Sequence, residues 1–225
     1  MKYNIDRIIA CAIEEVENAN FAATQQFLEV YQIVRDNGVP VVSRVDTETD
    51  DDNATVYFPV QGEKFYFAVY LDTEPEISVR WTDTEDAYSV YFAIVSETLD
   101  SPMISAMTNL KPTKSWSKGD KSANGFQNFT KVIFEPNPEA DEFDDKIEKL
   151  LDYLLTDKEN IKRLVDNYGG YIQVSAMFHN GNTALGGVHL NKDIIRKLAD
   201  LNLSIDFDLY AEGNLFKEED GSWYE

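Results

Sequence analysis

Apolar residues Ile5, Ile8, Ile9, Ala12, Ile13 and Val16 recur at the i, i+3, i+4 spacing of a helix with one buried stripe. Asn18-Ala-Asn20 interrupts it. A second helix is predicted next, with Phe27, Leu28, Tyr31 and Val34 on one face and Asn37-Gly38 as its left-handed end. Residues 39–45 are short, β-branched and carry Pro40, which predicts an edge strand. Three further runs, 54–60, 65–71 and 76–82, are separated by turn compositions and predict a β-meander. In its middle strand Phe65, Phe67, Val69 and Leu71 share one face and Tyr66, Ala68 and Tyr70 the other, so both faces are apolar enough to be covered.

The second part of the chain reads similarly. Strands are predicted at 88–96, 129–135, 171–178 and 203–210, and a short helix at 101–110. Phe143, Ile147, Leu150, Leu151 and Leu154 line one face of a helix over 141–155, which acidic residues open as the helix dipole favours. Residues 158–168 continue as helix and stop at Gly169-Gly170. Residues 180–187 have the composition of a glycine-rich turn region. Asn191 reads as the N-cap of a last helix with Ile194, Ile195 and Leu198 inward. Strands cluster, helices are interspersed, and no strict βαβα alternation appears. The expected class is therefore α+β: a mostly antiparallel sheet with helices mainly on one face, plus an N-terminal helical pair and the meander. The expected organisation is 1–87 (helices and meander, packed on the rest), 88–214 (the α+β domain) and 215–225 (a charged tail).

Charge sharpens this picture. The 225 residues carry 20 Lys and Arg against 41 Asp and Glu, a formal net charge of −21. Such an excess argues against nucleic acid as a partner, because phosphate binding needs clustered Lys and Arg. It speeds capture of a basic protein. No apolar run is long enough to span a bilayer, and the N-terminus lacks a signal-peptide pattern, so a cytoplasmic protein with no membrane partner is the expectation. The single cysteine, Cys11, can form no intramolecular disulfide, and nothing basic in the sequence near it would activate the thiol.

Against this field, residues 110–120 form a positive island: Leu-Lys-Pro-Thr-Lys-Ser-Trp-Ser-Lys-Gly-Asp. Lys111, Lys114 and Lys118, with Ser115, Ser117 and Trp116, could cradle an anion, and Gly119 would let the backbone approach. The spacing is not that of a P-loop. A surface corner anchored by Trp116 is the plainer reading. Asp46, Glu48, Asp50, Asp51 and Asp52 have calcium-ligand chemistry, yet an EF-hand counted from Asp46 would place Asp51 where Gly is needed and Tyr57 where Glu is needed. His179 and His189 lack the spacing of a zinc site. Asp206 and Asp208 share one face of the last strand and, with His189, form an alternative site for acid–base chemistry. No metal and no cofactor is indicated.

Four pieces in order resemble a known family. They are Leu99-Asp-Ser-Pro-Met-Ile-Ser, the 110–120 stretch with its Pro-Thr and Gly-Asp, Leu185-Gly-Gly-Val-His-Leu leading to Ile194-Ile-Arg-Lys-Leu-Ala-Asp-Leu, and Ser204-Ile-Asp-Phe-Asp-Leu-Tyr. From about residue 90 to about residue 210 the chain is similar to the bacterial domain-of-unknown-function family numbered 4279. Residues 1–88 lie outside the resemblance, which implies architecture and brings no activity. The functional expectation is a non-enzymatic acidic protein-binding module of immunity-protein type, whose partner is a basic protein such as a toxin and whose contacts include Asp50, Asp51 and Asp52. The alternative is a small-molecule or anion site, or an enzyme, that joins the Lys/Trp loop to Asp206 and Asp208 in one pocket.

Overall fold

A computed structural model describes residues 4–48, 52–123, 125–181 and 187–216. Two hydrophobic cores organise the chain. The first belongs to helices α1 (Ile5–Asn18) and α2 (Ala22–Leu28), the small hairpin β1 (Arg35–Asp36) and β2 (Val39–Pro40), and a sheet ordered β3-β4-β5-β6. Its strands are β3 (Arg44–Asp46), β4 (Asn53–Pro59), β5 (Tyr66–Asp72) and β6 (Ser78–Glu85).

Asn4 caps α1 by accepting from the Arg7 amide, and Ala19 ends it in the left-handed region. Ile8, Ala12 and Val16 bury the predicted stripe with Val56, Phe58, Phe67, Val69 and Leu71. Glu15 is buried and joins the two helices: it accepts from Thr24 Oγ1 at 2.6 Å and from the Phe21 amide at 3.0 Å. The meander is present, with antiparallel registers from β3 through β6.

The second helix departs from expectation. It stops at Leu28, and Tyr31 and Val34 follow outside it. Tyr31 leaves the helical path because its hydroxyl meets His179 and Asn214, while Ile33 forms a bridge to Val60. Asn37-Gly38 is no helix end. Both residues have positive φ, 48° and 85°, in a two-residue turn that pairs Arg35 with Pro40. That is the hairpin use of Asn-Gly, made possible by the left-handed tolerance of both residues. The edge strand expected over 39–45 is accordingly split between β2 and β3.

The second core lies under a sheet ordered β13-β12-β7-β11-β8. Its elements, in chain order, are β7 (Ala87–Ser96), α3 (Ser101–Ser105), β8 (Lys114–Trp116), the hairpin β9 (Lys121–Ser122) and β10 (Gly125–Phe126), β11 (Thr130–Phe134), α4 (Phe143–Leu155), α5 (Lys158–Tyr168), β12 (Tyr171–His179), α6 (Lys192–Asp200) and β13 (Ser204–Glu212). The helix expected over 101–110 closes at Ser105. Neighbouring strands are antiparallel except β12 and β13, which run parallel and are joined through α6.

Phe92, Val132, Phe134, Ile172 and Val174 face a helical layer built on Ile147, Leu150, Leu154, Ile161 and Leu164. The opposite face carries Ser89, Tyr91, Lys131, Gln173 and Asp208, and side-chain bonds such as Ser89 to Glu135 and Gln173 to Asp208 tie it together. The α+β class therefore holds, with helices on one face of each sheet. Asn191 caps α6 as its sequence indicates, accepting from the amides of Asp193 and Ile194. Ile195, expected inward, is 52% exposed: the helix buries only Ile194 and Leu198. Leu209, on the face of β13 opposite Asp206 and Asp208, is 62% exposed.

Candidate functional site

The two cores meet where β3 approaches the start of α4. Arg44 Nη1 lies 2.7 Å from Asp141 Oδ2, and Lys149 Nζ lies 3.0 Å from both Asp141 and Glu48. Burial pushes the Asp141 carboxyl up. Hydrogen bonds from Lys149 and Asn137 and the Arg44 charge overcome that and hold it below the usual carboxylate range. Asp46, Asp141 and Asp145 bring oxygens within 4.8 Å of one another, which is close enough to share a cation. Here Arg44 and Lys149 supply that positive charge from the chain itself.

Beside this neutralised network opens a cleft of ≈ 270 Å³ whose charge is not met. Glu85 reaches it from the end of β6, Tyr88 from β7, Glu142 and Asp144 from the entry of α4, and His189 from the segment before α6. Phe143 and Val188 supply apolar floor. No Lys or Arg lines it among the described residues. Burial pushes the Glu85 carboxyl up to about 6; the Tyr70 hydroxyl, donating to Glu85, pulls it down, and Asp86, Glu142 and Asp83 push it further up. Glu142 is raised by partial desolvation and by Asp145, Asp46 and Asp141. Asp86, raised by burial, accepts from the Tyr88 hydroxyl at 3.2 Å. None of Glu85, Asp86, Glu142 and Asp144 forms an ion pair with a Lys or Arg among the described residues. The cleft thus sets carboxylates beside apolar side chains.

The expected site residues fall in four places. Asp50 and Asp51 lie outside the described residues, and Asp52 is exposed ahead of β4. His189 lies in the cleft. Lys111, Lys114 and Lys118 are exposed, and none pairs with a carboxylate among the described residues. All three lysines face solvent rather than the protein's own acids.

The loop itself is a corner. The Ser117 amide donates to Asp120 Oδ2 at 2.7 Å, the Asp120 amide returns to the Ser117 carbonyl, and Gly119 turns at φ 90°. Ser117 Oγ accepts from the Ser101 amide, which ties the corner to α3. Trp116 is half-buried, with Lys114 Nζ 5.9 Å from its ring centre. Ser, Gly and Asp in this motif serve turn geometry.

Asp206 and Asp208 are exposed on β13, at the other edge of the sheet from β8. Four strand spacings, about 19 Å, separate the two edges. No one pocket joins them, so the single site expected from the Lys/Trp loop and the last strand is corrected to two separate edges. His179, by contrast, is buried: Nε2 lies 2.8 Å from the Tyr31 hydroxyl and 2.9 Å from the Asn214 carbonyl, and it bridges the two cores. Sequence reading missed Glu85, Tyr88, Glu142 and Asp144. The acidic excess of the chain and the acidic opening of α4 were visible, but the convergence of these four residues is not a local pattern.

The fold and cleft define an α+β protein of two packed cores, with ion chemistry concentrated at their junction. A family model for a domain of unknown function (DUF4279) matches residues 86–212, more than half of the chain, and the chain belongs to that family. The match covers the second core from β7 through β13; the helices and meander of the first lie before it. No curated protein and no solved structure matches the chain. No helix among the described residues is long and apolar enough to cross a membrane.

Proposed function

We propose that this chain is a non-enzymatic binding module, of immunity-protein type and working in the bacterial cytoplasm, that takes a basic protein partner into the cleft between its two cores. One observation carries the reading. The carboxylates that hold the cores together are neutralised by Arg44 and Lys149, whereas Glu85, Glu142 and Asp144 line an open cleft with no cation of their own. Charge left unmet in a partly desolvated site costs folding energy and is recovered when a cation enters. A lysine or arginine of the partner would meet the carboxylates while its methylene stem lies on Phe143 and Val188. A basic toxin is such a partner, and its active surface is what a tightly bound acidic module would cover.

Titration of the labelled full chain with a short arginine–glycine peptide tests the charge chemistry. Saturable shifts are expected at Tyr88, Val188 and His189, weakened about tenfold, or about 1.4 kcal/mol, by the double substitution Glu142→Gln/Asp144→Asn. Shifts spread evenly over the surface and indifferent to that substitution would sink the reading. Protection of cells from the basic product of an adjacent reading frame tests the partner class.

A further inference from the structure

Of the four outer edges of the two large sheets, three are blunted. β8 is three residues long and carries Lys114. β3 is also three residues long and carries Arg44. β6, the other edge of the meander, pairs through a register shift at Tyr70/Leu71 and bears Arg80. Short length, charged side chains (Lys above all), Pro and bulges are the usual guards against strand pairing.

β13 is long, unbulged and free of basic side chains, and its only charges are Asp206, Asp208 and Glu212, which deter an acidic strand and admit a basic one. It pairs with β12 through nine consecutive residue pairs, from Tyr171↔Ser204 to His179↔Glu212, without a shift. It contains no Pro and no Lys, and no strand pairs with its outer side among the described residues. Leu209 and Tyr210 are 62% and 44% exposed on its two faces. Asp206 and Asp208 project from the face turned away from the helices; Asp208 accepts from Gln173 at 3.0 Å, and neither forms an ion pair with a Lys or Arg among the described residues.

We infer that the outer edge of β13 docks an extended, basic segment of a partner protein as a sixth strand of the sheet, with Lys or Arg opposite Asp206 and Asp208 and apolar side chains covering Leu209. The inference rests on the basic-partner reading and adds to it a backbone mode of recognition. Main-chain bonds along a free edge give affinity, and alternate side chains give specificity. Cross-strand partners lie about 5 Å apart, close enough for a direct ion pair. A second copy of this chain fits poorly. Antiparallel self-pairing centred on Asp208 sets that carboxylate against its own copy, between two bodies of net charge −21.

The test uses the full chain and an end-capped peptide alternating valine and lysine. Amide exchange is expected to slow at alternate β13 residues when the peptide binds. Binding should fall about tenfold or more in Asp206→Lys/Asp208→Lys, where attraction becomes repulsion. A peptide N-methylated at alternate positions keeps its charge and loses its edge bonds, so it should not bind. If it binds as well as the parent peptide, or if β13 amides stay unchanged, the edge inference is overturned while the cleft reading stands on its own variants. β13 protection that grows with protein concentration without peptide would instead assign the edge to a second copy and overturn the inference.

Discussion

Arg44 Nη1 and Asp141 Oδ2 lie 2.7 Å apart across the junction of the two cores, the guanidinium side chain 12% exposed and the carboxylate fully buried. This pair sets how the meander meets α4, and so it sets the walls of the cleft. Removing Asp141 takes away the nearest and fully buried partner of Arg44 and leaves it only Asp46 at 3.6 Å and Glu48 at 3.4 Å; losing a charged hydrogen bond of this kind typically costs about 1.5–3 kcal/mol. Asp141→Ala is therefore expected to lower the urea midpoint strongly. Arg44→Met combined with Asp141→Leu should be less harmful than either single removal, because both charges of the pair leave together. Equal destabilisation by the double and the single variants would show that the pair's charge is not what matters.

Glu85 offers a pH test whose sign differs from that of most carboxylates. Its carboxyl is pushed from 4.5 up to about 6, mainly by burial. The folded state holds the proton more tightly than the unfolded chain does. Below about pH 4.5 both states are protonated and Glu85 contributes no penalty. Stability is lost as pH rises towards 6, and the full penalty, about 2 kcal/mol, applies above it. Glu85→Gln keeps an acceptor for the Tyr70 hydroxyl and removes the charge. It should stabilise the protein at pH 7.5 by up to about 2 kcal/mol and leave stability at pH 4 unchanged. Chemical denaturation at the two pH values reads the difference. Weakened binding of a cationic peptide in the same variant would connect that stored cost to function.

What the sequence disclosed and what it hid divide by the range of the interactions. α5 ends where Gly169 follows Tyr168, α6 starts at its Asn191 cap, and the meander strands fall close to their alternating runs. In each case the signal and its cause lie within a dozen residues. The second helix failed because Phe27, Leu28, Tyr31 and Val34 keep helical spacing while Tyr31 is claimed by His179, a residue 148 positions away. Asn37-Gly38 is compatible with a helix end and with a hairpin, and only the Arg35↔Pro40 pairing selects the hairpin. The cleft was hidden for the same reason: Glu85, Glu142 and His189 come from three separate stretches. Asp206 and Asp208 were legible as neighbours on one face, but whether their strand is central or at an edge is a property of the whole sheet.

His179 is buried with its Nε2 against the Tyr31 hydroxyl, and burial pushes its pKa down from 6.5. The folded protein therefore favours the neutral ring. The stability this contributes is present above pH 6.5 and is lost as pH falls through the lowered folded-state value. Tyr31→Phe removes the hydroxyl shared by His179 and Asn214 and should cost about 1–2 kcal/mol at neutral pH. Thermal unfolding from pH 7.5 to 5 should show the stability difference between the wild type and His179→Gln shrinking with acidity as the imidazole takes up its proton, because that difference cancels the opposing titration of Glu85. A flat profile would mean that the ring is already charged in the fold.

Gly213 lies beside the same contact. Its φ is 87°, and a Cβ built there would sit 2.7 Å from the Tyr31 hydroxyl oxygen and 2.8 Å from the Phe65 ring. Gly38 has a similar φ of 85° but nothing within 4 Å of a Cβ. Gly38→Ala should therefore show backbone strain alone, about 1 kcal/mol. Gly213→Ala adds the cost of overpacking, typically about 1–3 kcal/mol. The difference between the two urea midpoints isolates the packing of the chain's return from β13 onto the first core, and equal midpoints would mean that Tyr31 and Phe65 yield freely.

The lysines of the 110–120 corner supply the contrast with the cleft. Lys111, Lys114 and Lys118 are exposed and carry no ion pair among the described residues, whereas Asp120 closes the turn through the Ser117 amide at 2.7 Å. Replacing the three lysines by Gln should change unfolding free energy by no more than about 0.5 kcal/mol, as for surface positions without special contacts. It should leave arginine–glycine peptide binding at the cleft undiminished, because the net charge only becomes more negative. Asp120→Ala should cost about 1 kcal/mol, the worth of a single turn hydrogen bond, without moving the cleft resonances. Loss of peptide binding in the triple-Gln variant would shift the functional surface from the cleft back to this corner, and the paired readouts of stability and binding distinguish the two.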